Sequence, residues 1–129
     1  GQSTYDLRDF RKIFNVPELP AEEALFPMFG VTDATEWNDP HVEELMEDAS
    51  PINHLTKDDV PVYMNYTRVN LFVNRETESG VWVHHVKLGL HLQKAMRKLG
   101  IECSVVSPEH PETRYGSFEA FLIEKLTNS

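Results

Sequence analysis

The chain has 129 residues, the size of one domain, and its 40% hydrophobic and 26% charged residues fit a folded globular protein rather than a disordered tail. Twelve basic against 21 acidic side chains give a net charge of −9, which argues against a general nucleic-acid binder and against docking on anionic lipid. No apolar run approaches the ~20 residues that span a bilayer and no early stretch has a signal-peptide layout, while the single Cys103 excludes an internal disulfide and a thiolate-rich zinc site and leaves the compartment open.

Asp6 is placed to cap a short helix through about Phe14, with Leu7, Phe10 and Phe14 near helical spacing. Pro17 and Pro20 end it. A second short helix fits Ala21 to Phe29 and stops at Gly30, and Thr32 to Asn38 is a turn-rich link. A third helix opens with Asp39 as N-cap, Pro40 in the first turn, and Glu43 and Glu44 where the helix dipole favours acids. Val42, Leu45, Met46 and Ala49 mark its apolar face, and Ser50-Pro51 ends it. Pro61 to Tyr66 is rich in β-formers and reads as a strand. Arg68 to Gly80 is polar and irregular apart from Leu71-Phe72-Val73, which is apolar enough for brief pairing.

Residues 84 to 99 carry the strongest helical pattern. Leu88, Leu92, Ala95 and Leu99 form one stripe, Lys94, Arg97 and Lys98 crowd the C-terminal end, and Gly100 follows. Ile101 to Val106 reads as a strand and Ser107 to Gly116 as a loop. Ser117 caps a final helix that buries Phe118, Phe121, Leu122 and Leu126. Two strands joined by a long helix imply a parallel βαβ unit. Two parallel strands are a poor stand-alone core, so the expected fold is α/β and incomplete: two parallel strands with about five helices.

The run Ala49-Ser50-Pro51-Ile52-Asn53-His54-Leu55, followed by Asp58-Asp59-Val60-Pro61-Val62, resembles α/β-hydrolase esterases and lipases. In that family such segments lead from a helical region into the strand that precedes the catalytic acid. The helix end Lys98-Leu99-Gly100-Ile101-Glu102, leading into a strand, is similar to the same family. The likeness runs in order from residue 49 to residue 126, closest to carboxylesterase-like members related to feruloyl esterases and deacetylases. It implies that residues 1–129 are one partial hydrolase-like domain, the C-terminal part. Residues 1–50 would be a helical, cap-like region and 51–129 a strand-helix-strand-helix unit. It also implies that His110, in Ser107-Pro108-Glu109-His110-Pro111, stands at the position of the general base. Read without the family, His110 is an exposed loop histidine between two prolines.

The departures are specific. None of the seven serines (3, 50, 79, 104, 107, 117, 129) lies in G-x-S-x-G; Gly1-Gln2-Ser3-Thr4-Tyr5 has Tyr5 where the second glycine belongs. Asn70 occupies the position of the family's acid, and an amide does not stabilise an imidazolium as a carboxylate does. Glu76 and Glu78 are the acids of the following excursion.

His84, His85 and His91 do not make a metal site by spacing, since His84 and His91 lie about 10 Å apart along a helix and no H-E-x-x-H occurs; helix N-terminal capping, core contact or pocket lining is the expected role. The aromatic first third (Tyr5, Phe10, Phe14, Phe26, Phe29, Trp37) reads as a hydrophobic cluster or, by resemblance, as cap lining. Asn65-Tyr66-Thr67 matches the glycosylation sequon by chance at a strand end. Two functional expectations follow: part of an esterase/lipase-type hydrolase, inactive alone, or a degenerate interaction module. No cofactor and no metal are implied. The expected partners are a missing N-terminal half of the domain or a homodimer mate covering the open edge of the 61–66 strand.

Overall fold

The computed structural model describes residues 2–112 and 114–128. Asp6 opens α1 (Leu7–Phe14) by accepting from the Arg8 amide, and Asn15 closes it in the left-handed region at φ 54°. A 3₁₀ turn (Glu22–Leu25) runs into the single-turn α2 (Phe26–Phe29), which Gly30 ends at φ 66°. A second 3₁₀ turn, Ala34–Asn38, has a capping box between Asp33 and Glu36. Asp39 caps α3 (Pro40–Ala49) through the His41 amide, and a third 3₁₀ turn spans Pro51–His54. The remaining elements are β1 (Val62–Asn65), the single-turn α4 (Ser79–Trp82), α5 (Val86–Lys98), β2 (Cys103–Val106) and α6 (Phe118–Thr127).

β1 and β2 are parallel, with Val62 opposite Cys103 and Met64 opposite Val105. The fold is therefore α/β with a two-stranded parallel sheet among the described residues, as the pattern implies. Four α-helices of eight or more residues and two single turns stand against the expected five or so. Among the described residues, no helix is long and apolar enough to cross a membrane.

Two cores form, and α5 lies between them. The first gathers Leu7, Phe10 and Phe14 of α1 with Phe29, Trp37, Met46 and Trp82, and takes Leu88 from α5. Phe10 meets Trp82 edge to face at 5.1 Å, while Trp82 Nε1 donates to the Pro20 carbonyl at 2.9 Å. The second gathers Met64, Tyr66, Cys103, Val105 and Ile101 with Val86, Leu92 and Met96 of α5. Burial takes the Cys103 thiol up to about 11, so it packs as a small apolar group. A buried polar knot ties the N-terminal segment to the end of α3. Ser50 Oγ accepts from the Tyr5 amide (2.9 Å) and donates to the Met46 carbonyl (2.6 Å), and the Ile52 amide donates to the Ser3 carbonyl (2.9 Å).

Several expectations are corrected. The strands are shorter than Pro61–Tyr66 and Ile101–Val106, and the helix at 84–99 begins after His85. Leu99 is exposed, because the helix ends at Lys98 and Gly100 turns the chain at φ 76°; Ile101 takes the buried place while its amide donates to the Met96 carbonyl. On α3, Leu45 and Ala49 face outward and only Val42 and Met46 are buried. Of the α6 set, Phe121 alone is buried. The reason is width: two strands about 4.8 Å apart cannot cover a full helical face. Leu71-Phe72-Val73 forms no strand; Val73 is buried and Phe72 exposed. The single-turn α4 begins at the end of the stretch expected to be irregular and runs past Gly80 to Trp82.

Tyr66 crosses α5 over Gly89, where a Cβ would lie 2.5 Å from the ring. The phenol is buried and pushed up to about 12. Replacing Gly89 with Ala adds about 1 kcal/mol of helix propensity but overpacks a buried ring, which costs about 1–3 kcal/mol. Gly89→Ala is expected to lower the urea midpoint. A midpoint at or above that of the parent chain would show that the ring gives way freely.

Candidate functional site at the C-terminal ends of the strands

In parallel sheets, ligands and chemistry collect outside the carboxyl ends of the strands. β1 runs out through Tyr66, Thr67 and Arg68 toward Asn70, and β2 through Ser107 into Pro108-Glu109-His110. The β2 loop closes on itself. The Ser107 amide donates to the His110 carbonyl, the His110 amide to the Ser107 carbonyl, both at 3.0 Å. A proline in the second position suits such a turn.

Glu109 joins the two loops. Its Oε1 accepts from the Asn70 amide at 2.7 Å and its Oε2 accepts from Ser107 Oγ at 3.2 Å. The Asn70 amide, first of all, holds the Glu109 carboxyl below the usual range, with Ser107 and the charge of His110 acting the same way. Asn70 and His110, the two positions singled out from the sequence, thus lie on neighbouring loops. The structure connects them by the Asn70 backbone and a carboxylate next to His110, rather than by an Asn70 side chain on the imidazole. Glu76 and Glu78 are exposed on the 74–78 turn before α4. His110 is exposed.

His85 secures the same region from below. Its Nδ1 accepts from the Lys87 amide (3.1 Å), capping α5, and its Nε2 donates to the Leu71 carbonyl (2.7 Å). The ring is neutral in this arrangement, and burial holds its pKa below 6.5. His84 instead lines a cavity of about 240 Å³ with Asn65, Tyr66, Thr67 and Arg68. His91 turns to the far side, its Nδ1 lying 3.2 Å from Ser3 Oγ, and burial lowers its pKa too. The three histidines therefore go separate ways, and no group of three His, Cys, Asp or Glu side chains gathers for a metal among the described residues.

A serine nucleophile is not assembled here. Ser3 is fully buried, so no substrate reaches its hydroxyl despite the contact with His91. The Ser107 hydroxyl is buried and spent on Glu109, while accepting from the His110 amide at 3.3 Å. A cavity of about 560 Å³ lies elsewhere, between α1 and α3. There Arg8 gathers Asp6 (2.6 Å), Glu47 (2.9 Å) and Glu43 (3.4 Å), an ion cluster that pins two helices. The roles of Glu109 and Ser107 are not read from the sequence, whereas His85 caps α5 as its place before the helix suggests. The S-P-E-H turn and the histidine preceding an amphipathic helix were the available signals. No family model, no curated protein and no solved structure matches the chain.

Two outcomes follow. His85 and His91 have folded-state pKa values below 6.5, so their contribution to stability is present above that value. It is lost as pH falls, because the unfolded chain takes up protons that the fold resists. The urea midpoint is expected to drop between about pH 7 and pH 5, and His85→Asn, which keeps an acceptor for the Lys87 amide, to flatten that drop. An unchanged slope would assign it to other groups. Glu109→Ala is expected to speed hydrogen exchange of the Asn70 amide, since it removes that amide's charge-assisted acceptor. Amides within β1 and β2 should exchange as before.

Proposed function

We propose that these residues are part of a serine-type carboxylic ester hydrolase of the esterase/lipase kind. His110 is its general base, and the nucleophilic serine with its elbow belongs to polypeptide outside residues 1–129. In such a reaction His110 takes the proton of the serine hydroxyl as the oxygen attacks the ester carbonyl. It then returns that proton to the departing alkoxide, and repeats the cycle with water to release the acid. Residues 1–50 form the cap-like helical region beside the site. The observation that carries this reading is the tie at the carboxyl ends of two parallel strands: Glu109 holds the Asn70 loop to the loop of His110. It is supported by the order of the esterase-like segments along the chain.

A second reading, a non-catalytic hydrolase-like interaction module, is favoured by one observation. Position 70 carries an amide, and its backbone is what the neighbouring loop grips. Hydrolysis of p-nitrophenyl acetate separates the two. The 129-residue chain is expected to show buffer-level turnover, unchanged by His110→Ala. An N-terminally extended polypeptide containing a G-x-S-x-G elbow is expected to turn the ester over, and His110→Ala in that polypeptide to reduce kcat by about 10⁶-fold. No turnover by the extended polypeptide sinks the hydrolase reading and leaves the interaction module.

A further inference from the structure

β1 is bonded on one side only. The Val62 amide donates to the Glu102 carbonyl (3.0 Å) and the Tyr66 amide to the Val106 carbonyl (2.8 Å). Alternate residues therefore aim their backbone groups at β2, and Tyr63 and Asn65 aim theirs outward. Among the described residues, no backbone group meets them there. The outer edge of β2 differs, because its Cys103 carbonyl already accepts from Gln93 Nε2 of α5 at 2.8 Å. In a chain of net charge −9, the eight residues Val60–Thr67 carry no charge. The edge lacks the charged side chains with which exposed strands ordinarily repel a newcomer.

The helix above the sheet marks the same side. Phe118 and Phe121 of α6 pack on Tyr63 at 5.7 and 5.3 Å. One flank of α6 carries Glu124, 3.6 Å from Arg114, which binds Glu102 beside the start of β2. Phe118, which packs on Tyr63 of β1, and Leu122 one turn further on are 46% and 37% exposed. An open strand edge and an apolar helical flank thus border one another.

We propose that two copies of this chain join along β1, antiparallel about a two-fold axis through Met64. In that register Tyr63 of each copy stands opposite Asn65 of the other, and the pair exchanges both N–H···O=C bonds. The two-fold axis doubles the exchange, so every outward group of Tyr63 and Asn65 is satisfied. The ends are complementary in charge: the Asp58-Asp59 end of one β1 lies beside Arg68 of the other. Phe118 and Leu122 of both copies close over the junction. The product is a four-stranded sheet in the order β2-β1-β1-β2, closed and unable to propagate. A larger sheet built onto this chain would occupy the same edge in place of the second copy, so the inference concerns residues 1–129 by themselves, and its failure leaves the hydrolase reading untouched.

Size-exclusion chromatography with light scattering tests this on the 129-residue chain. A species of twice 14.9 kDa is expected at about 10–100 µM. Asn65→Pro removes one outward donor per copy without touching the bonds to β2. Leu122→Lys places a charge in the junction from an exposed position, and Arg68→Glu sets like charges together at the strand ends. Each is expected to raise the dissociation constant tenfold or more with unchanged circular dichroism. Leu122→Lys and Arg68→Glu, both surface changes, decide the matter even if Asn65→Pro does not fold. A monomer at about 100 µM, an assembly larger than a dimer, or a dimer that Leu122→Lys and Arg68→Glu leave intact overturns the proposal.

Discussion

Everything in this chain is organised around α5 being apolar on two sides. Leu88 enters the helical core of α1, α3 and Trp82, while Val86, Leu92 and Met96 enter the core under the sheet. Without the helical layer, one side of α5 would face water. Without the sheet, the other would. A domain of this size buries only part of its surface, and it meets that limit by making one helix serve two clusters. His85 anchors the arrangement, because the residue that caps α5 also binds the Leu71 carbonyl and so fixes the excursion between β1 and α4.

That anchoring decides what reaches the carboxyl end of the sheet. The excursion carries Asn70, and α5 leads the chain back to β2 and its loop. The two loops are then stitched by Glu109, whose carboxylate accepts one bond from each side. The Asn70 amide and the Ser107 hydroxyl hold that carboxylate in its ionised form. Within this chain the negative charge near His110 comes from the β2 loop itself rather than from the β1 loop.

The uncovered apolar surface has a pattern. Much of it lies on α6 and around the excursion, at Phe72, Phe118, Leu122, Ile123 and Leu126. A sheet of two strands offers too narrow a floor for the amphipathic face of α6, and the surplus of that face stays exposed. The helical region before β1, by contrast, holds acids in ion clusters such as that of Arg8 with Asp6, Glu43 and Glu47. The chain thus separates into a charged side, paired within itself, and an uncharged margin along β1.

Local signals settled a good deal. Asp6, Asp39 and Ser117 are N-caps because short polar side chains reach the free amides of a first turn whatever lies beyond them. Gly30 and Gly100 end helices because a left-handed turn costs glycine little. The parallel pairing of β1 with β2 followed from the length of the connecting helix. Periodicity could not say which face of a helix would find a partner, since that depends on what stands opposite. Leu45, Leu99, Leu122 and Leu126 all fit apolar stripes, and all are exposed. The candidate site divides in the same way. His110 and Asn70 could be located by their order along the chain. The grip of Glu109 on the Asn70 amide, the turn of His85 toward Leu71 and the burial of Ser3 against His91 join residues 39, 14 and 88 positions apart. Contacts at such separations exist only once packing has brought the segments together, and tertiary structure alone decided them.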